Sequence, residues 1–363
     1  MPSRISLITG EDRRHNITAA LDAIADDVDL ASVGQILVKP NLVGISNPLG
    51  VTHVDAIRAV LEWLRAHTDV PIIVGEGTAH SNTWHAFEIF GYLPLPDEYP
   101  DVTLMDLNSD AAVELTGLTV RLRPLSLEAS RTAVQSPFRI SIGPPKTHDT
   151  VRVTLSLKNM VMGGLISRLS PMDPQSGQAN IGFWGHVVTA AESLYKAMPN
   201  LLRNRGRVML AKELFIANVA PSSKTSMHQG FPAMNLNLFT LAPHLYAHLA
   251  VVDGFEAMEG NGPLNGSPVA WHTALASTDW LAADVTAARL MGFSLEEIGY
   301  LSYCAQANYG VSNPADIQIV GNARPDQVAR RFKRHLTDEM QSHWQSSGAS
   351  QYVRQALATA SRD

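Results

Sequence analysis

The sequence predicts an α/β protein, with a mixed, largely parallel sheet, helices on both faces and a β-rich insertion. Three observations carry that prediction. Short apolar segments alternate with amphipathic ones through the first hundred or so residues. One of them, "VPIIVGEG" (70–77), is continuously apolar until its end, the pattern of a strand buried on both faces. From 118 to 157 three strand-like segments then follow without an intervening helix.

Taken in order, "RISLI" (4–8) is a strand and "NITAALDAIADDV" (16–28) a helix with Asn16 as its cap. "QILVKP" (35–40) is a second strand. "VDAIRAVLEWLRAHT" (54–68) is an amphipathic helix with Ile57, Val60, Leu61 and Leu64 on one stripe. After the strand at 70–77 come a helix at 83–92 and a strand at 102–107. "LTVRLRPL" (118–125), "FRISIG" (138–143) and "TVRVTLSL" (150–157) are the strands of the insertion. The Pro-, Gly- and Ser-rich stretch at 166–183 is a long loop, of a length usually tied to function. "HLAVVDGFEAMEGNGPLNGSP" (248–268) runs from a strand into a glycine-rich turn, "STDWLAADVTAARLMGF" (277–293) is a helix, and "DIQIVG" (316–321) is the last strand. The chain thus divides into one α/β domain over 1–323, with the insertion at about 115–160, and a polar helical tail over 324–363.

Length and composition agree. A chain of 363 residues, 45% hydrophobic and 17% charged, buries a large core. A net charge of −6 argues against a phosphate-coating surface, so nucleic acid is not an expected partner. Cys304 is the only cysteine, which excludes an intrachain disulfide and a Cys-ligated iron–sulfur cluster within this chain. "MPSRISLITG" is too short an apolar run for a signal peptide, and no stretch approaches the ~20 apolar residues that cross a bilayer. The expected setting is the cytoplasm, without a membrane partner.

Walker, G-x-S-x-G, H-E-x-x-H and EF-hand patterns are absent. "GNGPLNG" (260–266) misses the dinucleotide spacing and reads as a tight turn. What remains is a set of reactive groups at the ends of strands, where α/β sheets bind ligands. They are Lys39 and Asn41 in "VKPNLV", Glu76 in "VGEG", Lys146 and His148 in "GPPKTH", and Asp253 in "VVDG".

The stretch "GPPKTHDTVRVTLSLKNM" (143–160) is the most pointed. Lys146, His148, Thr150, Arg152, Thr154, Ser156 and Lys158 occupy even positions, and Val151, Val153, Leu155 and Leu157 odd ones. With a period of two, one face is apolar and the other polar and cationic, either a solvated face or part of a site. Fully extended, Lys146 and Lys158 would stand about 40 Å apart. A shared site therefore requires a turn near Asp149–Thr150, with Lys146 and His148 on a loop and Lys158 and Asn159 returning from the far end of the next strand.

"ILVKPNLV", "GEG", "PPKTH", "VTLSLKNMVMGG", "VVDGFEAMEGNGPLNG" and "STDWLAADVTAARLMG", in that order, resemble the family catalogued as domain of unknown function 362, from about Ile36 to Gly321. The resemblance implies the same α/β fold and a candidate site at K-T-H … S-L-K-N and D-G … E-G-x-G-P. Many members carry a ferredoxin-like cysteine cluster, which this chain lacks. Members are also described as distant relatives of nickel-pincer lactate racemases.

On these grounds the sequence points to a metal-dependent enzyme for a small anionic substrate, with isomerisation or proton transfer the favoured chemistry. Lys39, Lys146 and Lys158 would clamp a carboxylate or phosphate, with Asn41, Glu76 and Asn159 completing the substrate site; the alternative is unrelated surface lysines. His148 would be an acid/base, a metal ligand or a structural histidine, with Lys146 and Lys158 beside it in the catalytic set. Asp253, Glu256 and Glu259 would hold Mg²⁺ or Mn²⁺ from a helical turn, or simply favour a helix N-terminus. His186, His228, His244 and His248 are scattered. Asp279 reads as a helix cap, and Cys304 as a buried helical residue without a basic partner. A non-catalytic carrier of a metallocofactor or anionic metabolite, a redox subunit served by a separate ferredoxin, and a homo-oligomer stay open.

Overall fold

A computed structural model describes residues 2–79, 81–168 and 222–360 of the chain. Twelve strands, numbered in chain order, build it: β1 (Ser3–Thr9), β2 (Ile36–Lys39), β3 (Ile72–Glu76), β4 (Val102–Asp106), β5 (Ala112–Leu118), β6 (Pro124–Ser130), β7 (Phe138–Gly143), β8 (Lys146–His148), β9 (Arg152–Thr154), β10 (Leu249–Asn261), β11 (Asn265–Ser277) and β12 (Ile317–Val320). The main sheet runs β12-β1-β11-β10-β7-β2-β3-β4, with β8 and β9 added beside β10 and a separate β5–β6 hairpin. All neighbours from β10 to β4 pair parallel. β11 pairs antiparallel with both β1 and β10, and β12 joins β1 in parallel. The sheet is mixed and largely parallel.

Alternation along these strands feeds two cores, one on each face. Ile36, Val38, Ile72, Val74, Ile140 and Ile142 join a cluster with Ile17 of the Arg13–Asp22 helix, Ile57 and Leu61 of the Val54–His67 helix, and Phe87 of the Thr83–Ile89 helix. Leu37, Ala250, Val252 and Leu275 join the opposite cluster with the Ser156–Gly164, Phe231–Leu245, Trp280–Leu290 and Gly299–Gln306 helices. The apolar odd residues Val151, Val153, Leu155 and Leu157 enter this second core. Helices thus cover both faces, as the alternating pattern predicts.

Four local readings are corrected. Asp12, not Asn16, caps the first helix through His15 N–H; Asn16 is buried inside it and donates to Gly10 O. The segment 118–125 is not one strand: β5 ends at Leu118 and β6 starts at Pro124, and residues 119–123 between them form the hairpin turn, where Leu122 takes a φ of 55°. The stretch 150–157 is not one strand, because β9 ends at Thr154 and a helix starts at Ser156. The Glu256–Glu259 stretch is not a helical turn but part of β10, which pairs with β11 through Asn261↔Asn265, across the tight turn that "GNGPLNG" implies. The loop expected at 166–183 lies, from 169 onward, outside the described residues, as does His186. Among the described residues no helix is long and apolar enough to cross a membrane.

Residues 324–360 contain the short helices Pro325–Val328 and Asp338–Gln341 and the longer Ser347–Ala360. They dock on the second core through Phe332, Trp344 and Val353.

Candidate functional site

The carboxyl ends of β2, β3 and β7 meet the Ser156–Gly164 helix, and the polar residues there converge. Lys39 closes β2 on the face opposite Val38, where that helix lies. Its Nζ donates to Pro40 O (2.7 Å), Glu76 Oε1 (2.9 Å) and Asn159 Oδ1 (3.0 Å). Glu76, at the end of β3, also accepts from Leu42 N–H (2.7 Å, through Oε2) and Gly77 N–H (2.8 Å, through Oε1). Asn159 returns a bond from Nδ2 to Lys39 O (3.2 Å) and another to Ser141 Oγ (3.0 Å) on β7. The helix comes this close because of Gly163. A Cβ there would stand 1.9 Å from Lys39 Cε and 2.5 Å from Glu76 Oε1.

Lys146 starts β8, and its Nζ donates to Asn41 Oδ1 (2.9 Å) and Gly50 O (2.5 Å). β8 turns at 149–151 into β9, in register Lys146↔Thr154 and His148↔Arg152. The turn that a shared site requires is present, although Lys146 and His148 occupy a strand and not a loop. The even-numbered face is not solvated, because His148, Thr150, Arg152, Thr154, Ser156 and Lys158 are all buried. Arg152 sits at φ 65°. Its side chain holds Asp338 Oδ1 (2.9 Å) and Asp338 O (3.1 Å) and also donates to Glu297 O, while Gln341 Nε2 donates to His148 O (2.8 Å). The C-terminal segment therefore clasps this hairpin.

After Thr154 the chain switches to helix because a distant carboxylate caps it. Asp284, buried in the Trp280–Leu290 helix, accepts from Ser156 N–H (2.8 Å) and Leu157 N–H (3.0 Å). Burial lifts the Asp284 carboxyl to about 7 even against those two donors. The cap sets Lys158 one turn into the helix, where the residue is only 5% exposed.

Electrostatics follow from this burial. Burial lowers Lys39, and the paired Glu76 opposes the shift. Burial, then repulsion from Lys158 and Lys39, brings Lys146 down to about 7. Burial brings Lys158 to about 8, with Asp149 the one carboxylate opposing it. Lys146 and Lys158 repel each other, so protonating both costs more than protonating either alone. Burial, then Lys158, His228, His335 and Lys146, hold His148 well below its usual range, so it is neutral. Its Nδ1 accepts from Thr150 N–H (3.0 Å), which leaves the ring proton on Nε2. Asp149 Oδ1 lies 3.0 Å from that same Nδ1, but an ion pair there would need the imidazolium that burial and the nearby cations oppose.

Sequence reasoning missed Lys224. It is buried, donates to Met162 O (2.7 Å) and Gly163 O (3.3 Å), and is brought by burial to about 7, with Glu76 opposing and Lys39 reinforcing. Nothing local in "PSSKTS" marks it. Asp284 did carry a signal, as a lone acid among apolar residues in "WLAADVTAARL".

The acidic trio does not join the cluster. Asp253 is buried and pairs with Arg13 Nε (3.2 Å), and burial raises its carboxyl. Glu256 is exposed, and Glu259 accepts from Lys333 N–H (2.9 Å). In a strand, residues three apart face opposite sides, and the bulge between Gly254 and Glu256 further separates Asp253 from the other two. Among the described residues no group of three or more His, Cys, Asp or Glu is placed to hold a metal. The trio does not fit Mg²⁺ or Mn²⁺. Asp279 caps its helix through Ala282 N–H (2.9 Å). His248 stacks on Phe138, and Cys304 is buried. A surface depression of about 440 Å³, lined by Glu62, Arg65, Asp69, Tyr99, Pro100 and Asp101, opens beside the amino ends of β3 and β4, the opposite edge from the lysines.

The family model described as "Domain of unknown function (DUF362)" matches residues 36–289, more than half of the chain, which belongs to that family. No similar curated protein is found. Among solved structures, the lactate racemase apoprotein from Thermoanaerobacterium thermosaccharolyticum aligns at 10% identity and a TM-score of 0.35, over 69% of this chain and 50% of that one. A protein from Thermotoga maritima aligns at 13% identity and a TM-score of 0.31, over 45% of this chain and 41% of that one. The chain spans half or less of the length of either, and at these scores the likeness bears on no residue of the site.

Proposed function

We propose that this DUF362 family member is an enzyme that holds a small carboxylate or phosphate compound against Lys146 and Lys158 and moves a proton within it, as an isomerase does. One observation supports the reading above the others. Lys158 is a buried amine beside a second buried amine, and no described residue accepts a hydrogen bond from it. A lysine offers three donors. Lys39 uses all three on Pro40, Glu76 and Asn159, so its part is to brace the site. Lys146 retains one donor and Lys158 all three, which is where an anion gains most.

With amines at about 7 and about 8, one of the pair is readily neutral near pH 7. The protonated member holds the anion, and the neutral one takes a proton from the bound molecule and returns it. The neutral His148 supplies an Nε2–H donor from the adjoining strand. Asn41, Glu76 and Asn159 position the lysines. No step passes through a divalent metal, because Asp253, Glu256 and Glu259 do not converge.

The test is thermal-shift screening of the purified protein against small carboxylates and phosphates, followed by NMR in D₂O of any compound that stabilises it. Stabilisation with exchange of a carbon-bound proton is expected. Stabilisation without exchange would replace the enzyme with a non-catalytic binding protein, and no stabilisation by any anion would overturn the site itself.

A further inference from the structure

Among the described residues four lysines are buried at this edge of the sheet, and of these only Lys158 is not tied down by a neighbour. Lys39, Lys146 and Lys224 each donate to at least two acceptors, whereas Lys158 donates to none among the described residues. Two hydroxyls close to it in the chain are likewise idle: Thr154 Oγ1 and Ser156 Oγ are buried without a hydrogen-bond partner. Thr154 lies opposite Lys146 in the hairpin register, and Ser156 opens the helix that carries Lys158. Lys158 as a residue keeps 5% of its surface exposed.

A buried ammonium without a counter-ion is far more costly than a buried neutral amine, and the neutral form is a nucleophile. Resting on the anion-site reading above, the geometry points to a narrower substrate class: Lys158 is the amine that forms a Schiff base with a small anionic molecule bearing an aldehyde or ketone carbonyl. The nitrogen lone pair adds to the carbonyl carbon and the C–N bond forms. The nitrogen sheds a proton, the oxygen gains protons and leaves as water, and a protonated imine remains. One carbonyl, one amine and one proton become one iminium and one water, with no change in oxidation state. Lys146, which Lys158 lowers through space and which keeps one N–H unassigned, is the amine we assign to relay the proton. The Thr154 and Ser156 hydroxyls offer partners for the departing oxygen. An iminium acidifies the neighbouring C–H, which is the bond the proposed proton transfer must break. A position at about 8 leaves part of Lys158 unprotonated near neutrality, in keeping with this role.

The experiment traps the imine. The full-length protein is incubated with sodium cyanoborohydride and either pyruvate, a carbonyl carboxylate, or dihydroxyacetone phosphate, a carbonyl phosphate. Intact mass and peptide mapping follow, with lactate as the compound lacking a carbonyl. The expected product is a single adduct on Lys158 with the mass of the carbonyl compound less one oxygen, formed well before any adduct on exposed Lys333. The compound that gives it distinguishes the carboxylate from the phosphate. Lys158→Arg keeps a cation, so it should lose the adduct while retaining stabilisation by anions. The wild-type peptide map decides the matter even if that variant folds poorly. Anion-stabilised protein that gives no Lys158 adduct with either compound, or gives it first on Lys224 or Lys333, overturns the Schiff base and leaves the anion site standing. Failure of every anion to stabilise the protein removes both.

Discussion

The end of β2 and the start of the Ser156–Gly164 helix each bury a lysine, and they satisfy it in opposite ways. Lys39 faces a carboxylate, a carbonyl and a side-chain amide, all within 3.0 Å. Glu76 in turn holds two backbone N–H groups. Every polar group in that corner has a partner, and the arrangement serves architecture. Lys158, 5% exposed, is coupled to a second amine and has no acceptor among the described residues, and the Thr154 and Ser156 hydroxyls close to it in the chain are partnerless. Folding alone gives no reason to keep such a group, since burying an unpaired amine costs stability. The contrast separates the brace of the site from its working edge.

The sharpest way to break the comparison is to attack the brace. Glu76→Ala strands the Lys39 charge and two backbone N–H groups, and should cost about 3–5 kcal/mol in urea denaturation. Pairing it with Lys39→Met should recover much of that loss. A loss below 1 kcal/mol in the single variant would show the pair to be dispensable.

Lys158→Met should act in the other direction on stability and abolish anion binding. The folded-state position of about 8, against 10.5 for an ordinary lysine, means that the unfolded chain binds more protons between those two values. Stability from this group therefore rises with pH across that window and is flat below it. Near pH 7 the Met variant should be more stable than wild type by about 3 kcal/mol, and the gap should close by pH 10.5. A variant that is less stable at both values would make Lys158 structural.

Gly163→Ala places a methyl against Lys39 and Glu76 and should destabilise by about 1–3 kcal/mol in thermal melts. A neutral outcome would mean that the helix shifts freely, and that the brace is looser than its bond lengths imply. The smallest expected effect is at Asp284→Ala, about 0.5–2 kcal/mol for the lost helix cap. Its informative readout is the KM of any activity found, because the cap positions Lys158 without touching substrate.

Much of this was legible in the residues. "ILVKP" and "PIIVGE" are continuous apolar strands ending in a charge, so Lys39 and Glu76 could be placed at strand ends of one sheet before any contact was known. The even–odd pattern of 146–158 also grouped Val151, Val153, Leu155 and Leu157, which do share a core. What it concealed was the form: a short hairpin and then a helix, with the polar face turned inward. Asp253, Glu256 and Glu259 read as a trio because they are close in sequence. Strand geometry and the Gly254/Glu256 bulge send them to different environments.

By itself, then, the sequence determined the parallel strands at the centre of the sheet, their two apolar faces, and which of their ends carry charge. Those are properties of neighbours, set by side-chain period and local sterics. Only the tertiary structure decided that Asp284 would end a strand at Thr154 by capping a helix 128 residues away in sequence, that Lys224 would come within electrostatic reach of Glu76, and that Lys158 would find no acceptor among the described residues. Each depends on what a distant segment brings to the spot, and a backbone donor or buried amine carries no local mark of the group that will meet it.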